Sequence, residues 1–309
     1  MDLVNRALFS PFLAQLVVTR RCNLTCGYCN EYDTDSAPVP LELLKSRLDK
    51  LKELGTFTVE FTGGEPMLHP DIYELIRYAR AASFHKVMMI SNAYLLNAKK
   101  VRALNEAGLA EMQVSVDGVL PNATTVKVLK PMMPKLRMLA EHAKFNVVLS
   151  AVMGAAPDEE VLQVVATARE LKFRPRVLVL HDGQGHMLRD EGSVARLEKV
   201  KRAMGSSRFG EAHDYRERIL RTGQAPFKCR AGSRYLYVDE FGTVHWCSQT
   251  RGVFQKPLME YSKTDLQNQF YTPKSCSNTC TLGCVRTQSA FDEWRSQPLQ
   301  GVRHLPVAH

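Results

Sequence analysis

The sequence predicts an α/β protein: a partial (β/α)6 barrel of the TIM-like type, followed by a small C-terminal unit of β-hairpin and loops. Three observations carry this expectation. Strand-like and helix-like runs alternate six times between residues 12 and 180, which implies a parallel sheet with right-handed crossovers. Chemically unusual residues fall just after five of the six strand-like runs, as they do where one site is built beyond the carboxyl ends of parallel strands. The eight cysteines are confined to two regions, three within residues 22–29 and five within 229–284. Six units are too few for an eight-fold barrel; a flat doubly wound sheet is the alternative.

The elements follow in order. Residues 12–19 are an apolar, strand-like run. Pro38 and Pro40 then open a helix over 41–54, whose apolar positions 41, 44, 48, 51 and 54 recur at helical spacing; Gly55 stops it. Residues 56–62 are rich in β-branched and aromatic side chains. A helix over 70–82 begins with proline in its first turn. Strands over 86–91, 111–116, 145–152 and 176–180 alternate with helices over 97–107, 130–143 and 158–171. Residues 1–189 therefore form the barrel unit.

Residues 190–225 are charged and helical, broken at Gly205, Ser206 and Ser207, and bridge to a unit over 226–296. There two short strands, 235–238 and 243–246, flank the turn Asp239-Glu240-Phe241-Gly242. A tail follows from Gln297 to residue 309. Trp246 and Trp294 are expected to pack the small unit. Met88, Met89, Met132 and Met133 suit core filling.

Composition narrows the function classes. Of 309 residues 45% are hydrophobic, enough for a core. The net charge is +9, but Lys and Arg are dispersed over helices with no basic block, which argues against nucleic acid as partner. No apolar run reaches membrane-spanning length. The first twelve residues do not read as a secretory signal, so the expected location is cytoplasmic. Cysteines bunched at two ends do not form a disulfide scaffold.

The first cysteine group, Cys22-x3-Cys26-x2-Cys29, lies in the loop after the first strand. Packed thiolates of this kind hold soft metal. Three ligands leave a zinc site incomplete unless His or Asp completes it, and would leave one iron of a [4Fe–4S] cube open to another ligand. With Tyr28 before the last cysteine, and Gly63-Gly64-Glu65-Pro66 one strand later, the pattern resembles the radical S-adenosylmethionine (SAM) enzymes over roughly residues 12–185.

In that family the cysteines hold a [4Fe–4S] cluster whose open iron chelates SAM. An electron from the cluster splits SAM to methionine and a 5′-deoxyadenosyl radical, which removes a hydrogen from substrate. The resemblance assigns Cys22, Cys26 and Cys29 to the cluster and Gly63, Gly64 and Glu65 to the methionyl ammonium, through backbone carbonyl or carboxylate. It sets Tyr28 against the adenine, Ser91 and Asn92 near the methionyl carboxylate or ribose, and Ser115 and Asp117 near the ribose hydroxyls. Where the family often shows Thr-Asn-Gly, this chain has Ser91-Asn92-Ala93. Helix N-caps are an equal reading of Ser91 and Ser115.

The five distal cysteines run Cys229-x12-Gly242-x4-Cys247, then Cys276-x3-Cys280-x3-Cys284. Their opening resembles the SPASM or twitch extension of radical SAM enzymes, which binds auxiliary [4Fe–4S] clusters. Five cysteines cannot ligate two full cubes, so one auxiliary cluster is expected, with Cys229 and Cys247 as ligands and two of Cys276, Cys280 and Cys284 beside them. Zinc is the alternative occupant.

His181-Asp182, after the sixth strand, is a candidate pair for proton transfer or substrate orientation; a His packed at a domain interface is the plain reading. Glu31, Tyr32 and Asp33 are placed at the mouth or in a solvated loop. The resemblance implies a peptide or small-metabolite substrate, an electron donor such as ferredoxin or flavodoxin, and a net oxidation or bond-forming modification. A non-catalytic iron–sulfur or zinc scaffold is the alternative. The Gly-Gly-Glu-Pro stretch opposes it, since a carrier has no SAM ammonium to bind.

Overall fold

The structure, a computed structural model, describes residues 8–182, 186–204 and 211–293. Gly183, the break at Gly205–Ser207, Trp294 and the tail from Gln297 lie outside the described residues. The expected alternation is present: β1 (Leu13–Thr19), α1 (Leu41–Glu53), β2 (Thr58–Gly63), α2 (Ile72–Ala81), β3 (Lys86–Ser91), α3 (Ala98–Ala107), β4 (Glu111–Ser115), α4 (Leu129–His142), β5 (Asn146–Met153), α5 (Asp158–Glu170) and β6 (Arg174–Val179). β1 to β6 pair in parallel, each with its sequence neighbour. The sheet is unclosed, with β6 on its edge, as a partial barrel requires.

Local chemistry sets the boundaries. Asn97 caps α3 by accepting from the Lys100 N–H at 2.9 Å, and Gly108 closes it in the left-handed conformation (φ 88°). β6 starts two residues earlier than the sequence suggests and includes Pro175. An edge strand tolerates proline because its outward N–H has no partner to lose.

Strand alternation gives the sheet two unlike faces. Leu16, Val18, Val59, Phe61, Val87, Met89, Met112 and Val114 form one, and all are buried. The other face is polar. Gln15 donates to Glu60 at 2.6 Å, Tyr235 donates to Gln15, and Arg176 donates to Gln113 at 2.6 Å. Burying each large apolar side chain contributes about 1.5–3 kcal/mol, so the apolar face carries the stability and the polar face is left for chemistry.

The C-terminal region adds α6 (Ser193–Met204), α7 (Glu211–Thr222), β7 (Tyr235–Val238), β8 (Thr243–His245), β9 (Lys256–Pro257), α8 (Lys263–Tyr271) and α9 (Gly283–Ala290). The hairpin β7–β8 is as expected, but it joins the main sheet: β7 pairs in parallel with β1, and β8 and β9 continue antiparallel. The result is one nine-stranded sheet. Neither β9 nor the two last helices was visible in the sequence pattern. α8 is held by a capping box between Ser262 and Asp265. Among the described residues no helix is long and apolar enough to cross a membrane.

Candidate active site

β1 ends at Thr19 and its loop folds back at once. The Cys22 N–H donates to the Asp33 carbonyl and the Asp33 N–H to the Arg20 carbonyl, both at 2.9 Å; the Cys29 N–H donates to the Cys26 carbonyl at 3.1 Å. Cys26 is buried and Cys22 and Cys29 are partly so. The three thiols line a cavity of about 150 Å³ shared with Gly63, Gly64, Ser91, Asn92, Ser115 and Lys127. Burial pushes the Cys22 and Cys29 thiols up, so they are neutral until a metal displaces their protons.

The glycines are there for close approach. A Cβ on Gly63 would stand 2.0 Å from the Thr19 carbonyl oxygen, and one on Gly64 would stand 2.3 Å from those of both Arg20 and Arg21. These are backbone atoms that cannot yield, so only glycine lets the end of β2 lie under the cysteine loop. The Gly64 N–H donates to Thr19 and the Glu65 N–H to Arg21, each at 2.9 Å.

Glu65 is fully buried, and its carboxylate is committed internally. Oε1 accepts from the Ser91 hydroxyl at 2.7 Å and the Met67 N–H at 3.0 Å; Oε2 accepts from the Asn92 N–H at 2.7 Å. Burial raises its pKa against these donors. Of Gly63, Gly64 and Glu65, backbone carbonyls are therefore what a cationic ligand would meet. Asn92 Nδ2 donates to Asn23 at 2.9 Å and lies 3.7 Å from Cys22 Sγ. Neither Ser91 nor Ser115 is a helix cap: α3 is capped by Asn97, and Val128 precedes α4.

Tyr28 meets Asp117 across the cavity wall, its hydroxyl donating to Oδ2 at 3.0 Å. Thr125 donates to the same oxygen at 2.8 Å. Lys127 Nζ stands 3.4 Å from it, donates to the Tyr28 hydroxyl and lies 4.8 Å from the Tyr28 ring centroid. Burial holds Tyr28 protonated far above the usual phenol range. Asp117 Oδ1 is buried with no hydrogen-bond partner among the described residues. Leaving such an acceptor unmet costs about 1–3 kcal/mol, and a hydroxyl-bearing ligand would relieve it. Three thiols on one cavity, carbonyls for an ammonium and an unpartnered carboxylate oxygen for hydroxyls fit a cluster with SAM on it.

His181 borders this site, its ring 6.4 Å from that of Tyr28. Its partner is not the Asp182 carboxylate. Nδ1 bonds the Asp182 backbone carbonyl at 2.7 Å, and Nε2 faces the Gln249 amide nitrogen at 3.0 Å. The Asp182 side chain accepts from the His186 N–H at 2.9 Å. Of the three loop residues, Tyr32 lines the cavity, whereas Asp33 accepts from the Ser36 N–H at 3.0 Å. Glu31 turns toward β7, bonding Arg20 at 3.0 Å and the Tyr237 hydroxyl.

The distal cysteines form a second group. Cys229 and Cys247 are buried, and Cys247 Sγ is 3.2 Å from the Thr250 hydroxyl. Cys276 and Cys280 sit within and just after the short helical turn Ser275–Thr279. The thiols act on one another. Burial, then Cys229 and Cys276, push Cys247 up to about 12. Burial and Cys276 push Cys229 up to about 11. Burial, Cys229 and Cys247 raise Cys280.

Cys284 raises Cys280 in turn; its own thiol is raised by burial and Glu60 against the opposing effect of Arg176. Among the described residues no three His, Cys, Asp or Glu side chains converge on a single metal ion. A cube spaces its thiolates more widely, because each binds a different iron.

Lys127, Thr125 and Gln249 carry no motif, and nothing local in the sequence marks them. Each joins the site only through tertiary contact.

The sequence signature of the Radical SAM superfamily matches residues 16–197. A PqqA peptide cyclase of Rhodopseudomonas palustris is 35% identical over 111 residues, 35% of this chain and 29% of that protein. An AdoMet-dependent heme synthase of Oleidesulfovibrio alaskensis is 37% identical over 105 residues, 33% of this chain and 26% of that one. The matched stretches thus span less than a third of these relatives' own length. Streptococcus suis SuiB, solved bound to precursor peptide SuiA, shares the fold: its TM-score is 0.66 at 17% identity, covering 87% of this chain and 67% of that one.

Proposed function

The chain belongs to the radical SAM superfamily, and from that premise we propose that it is an oxidative enzyme with two iron–sulfur sites, acting on a peptide or small metabolite. When bound, a [4Fe–4S] cluster and SAM supply the 5′-deoxyadenosyl radical that takes a hydrogen from substrate. Cys22, Cys26 and Cys29 hold that cluster as thiolates. The carbonyls around Gly63 and Gly64 accept the methionyl ammonium. Asp117 Oδ1 accepts a ribose hydroxyl, and Tyr28, fixed by Asp117 and Lys127, lies along the adenine.

Cys229, Cys247, Cys276 and Cys280 hold one auxiliary cluster, and Cys284 is left outside it. A cluster held there would supply an acceptor for the electron of a net oxidation, and a ferredoxin or flavodoxin would be the electron donor to the first site. His181, oriented by Gln249, handles a substrate proton, beside Asp182. The observation that carries this reading is the shared cavity of three thiols, two close-approach glycines and Asn92 at adjoining strand ends. The peptide half of the substrate class draws on the peptide cyclase similarity.

The two-site organisation is tested by anaerobic reconstitution of the wild type and Cys229→Ala. Iron should fall from about eight to about four per chain, and the variant should still cleave SAM but form no modified product. Equal iron in both proteins would refute it.

A further inference from the structure

We propose that Lys127 is the counter-charge of the Cys22–Cys26–Cys29 site: a positioning residue that holds Tyr28 on Asp117 and raises the reduction potential of the cluster. The inference rests on the reading of that site given above. The Lys127 side chain is only 14% exposed, and its ammonium makes a built set of contacts: Asp117 Oδ2 at 3.4 Å and the Tyr28 hydroxyl, with Nζ 4.8 Å from the Tyr28 ring centroid. Its loop is pinned on the cysteine loop. A Cβ on Gly27 would stand 2.7 Å from the Ala123 carbonyl oxygen, and the Tyr94 hydroxyl donates to the Val126 carbonyl at 2.8 Å.

The orientation of the ion pair matters. Lys127 lines the thiol cavity, which brings the positive member of the pair to the wall shared with the cysteines. Reduction adds one electron from an external donor to the cluster and makes the cluster with its thiolates one charge more negative. A fixed cation at the wall stabilises that state over the oxidised one, and net local charge is a main determinant of iron–sulfur potentials. In a site shielded from water the effect is poorly screened. Removing the ammonium also leaves the buried Asp117 carboxylate unbalanced, which pushes in the same direction.

The test is an EPR-monitored redox titration of the full chain without SAM, in the Cys229→Ala background, so that the first site alone is followed. Lys127→Met should shift the midpoint potential to a more negative value, and Lys127→Arg should restore it close to that of the parent. Lys127→Gln keeps a hydrogen-bond donor and removes the charge, so it should behave as Lys127→Met does. An unchanged midpoint in either neutral variant overturns the proposal, as does a failure of both to load iron, which would make Lys127 an assembly residue. Absence of any reduced-cluster signal from the parent protein would instead overturn the reading of the cysteine site.

Discussion

Ala93 shows how closely this site is drawn. It follows Ser91 and Asn92, is fully buried and holds φ at 60°, a conformation that favours glycine. A left-handed residue with a Cβ costs about 1–2 kcal/mol. Ala93→Gly should therefore raise the unfolding free energy by about 1 kcal/mol in urea titrations of the apo-protein; a loss of stability would mean that the Cβ packs more than it strains. Gly64 is the opposite case. Gly64→Ala would drive a Cβ against two carbonyl oxygens of the cysteine loop, so iron bound after reconstitution should drop by about half while the auxiliary site stays loaded. Undiminished iron would contradict the close-approach argument. Residues of this kind were legible because cysteines and glycines announce themselves by spacing. Lys127 and Gln249 were not, because a lysine or glutamine in a loop looks the same whether it faces solvent or a thiol.

At the level of elements, β1 to β6 could be read because each carries its own apolar run, and every pairing joins neighbours in sequence. The β7–β1 pairing could not. Its partners lie at opposite ends of the chain, and no local pattern records a parallel contact between them. Arg234 fixes that junction. It bonds Asp292 through two nitrogens at 2.7 and 3.2 Å, reaches the Ser10 carbonyl at 2.9 Å and lies 4.3 Å over the Phe12 ring. Both charged groups are buried, and breaking such a pair from one side costs about 3–5 kcal/mol. Arg234→Met should lower stability by that amount in equilibrium unfolding. A change below 1 kcal/mol would show that the hairpin is held on the sheet by its strand pairing alone. The role of Glu65 was likewise hidden. The motif marks it, but only the fold shows its carboxylate turned inward to tie β2 to the end of β3.

Across the whole molecule, the two thiol groups are joined by a short polar bridge. Glu31, two residues after Cys29, meets Tyr237 of β7 and stands 3.9 Å from Arg251. Gln249, two residues after Cys247, holds His181. The two thiol groups are thus linked by side-chain contacts on both sides. Arg251→Met should weaken this link, lowering product formation per SAM cleaved while leaving iron content unchanged; an unaltered coupling ratio would show that the bridge does not position substrate. All of this depends on the Cys22–Cys26–Cys29 cavity being where SAM is cleaved. The most direct measurement is 5′-deoxyadenosine released after anaerobic reconstitution with SAM and dithionite, in the wild type and in Cys26→Ala at matched protein concentration. 5′-Deoxyadenosine is expected from the wild type and none from Cys26→Ala. No 5′-deoxyadenosine from an iron-loaded wild type, or equal amounts from both proteins, would contradict it.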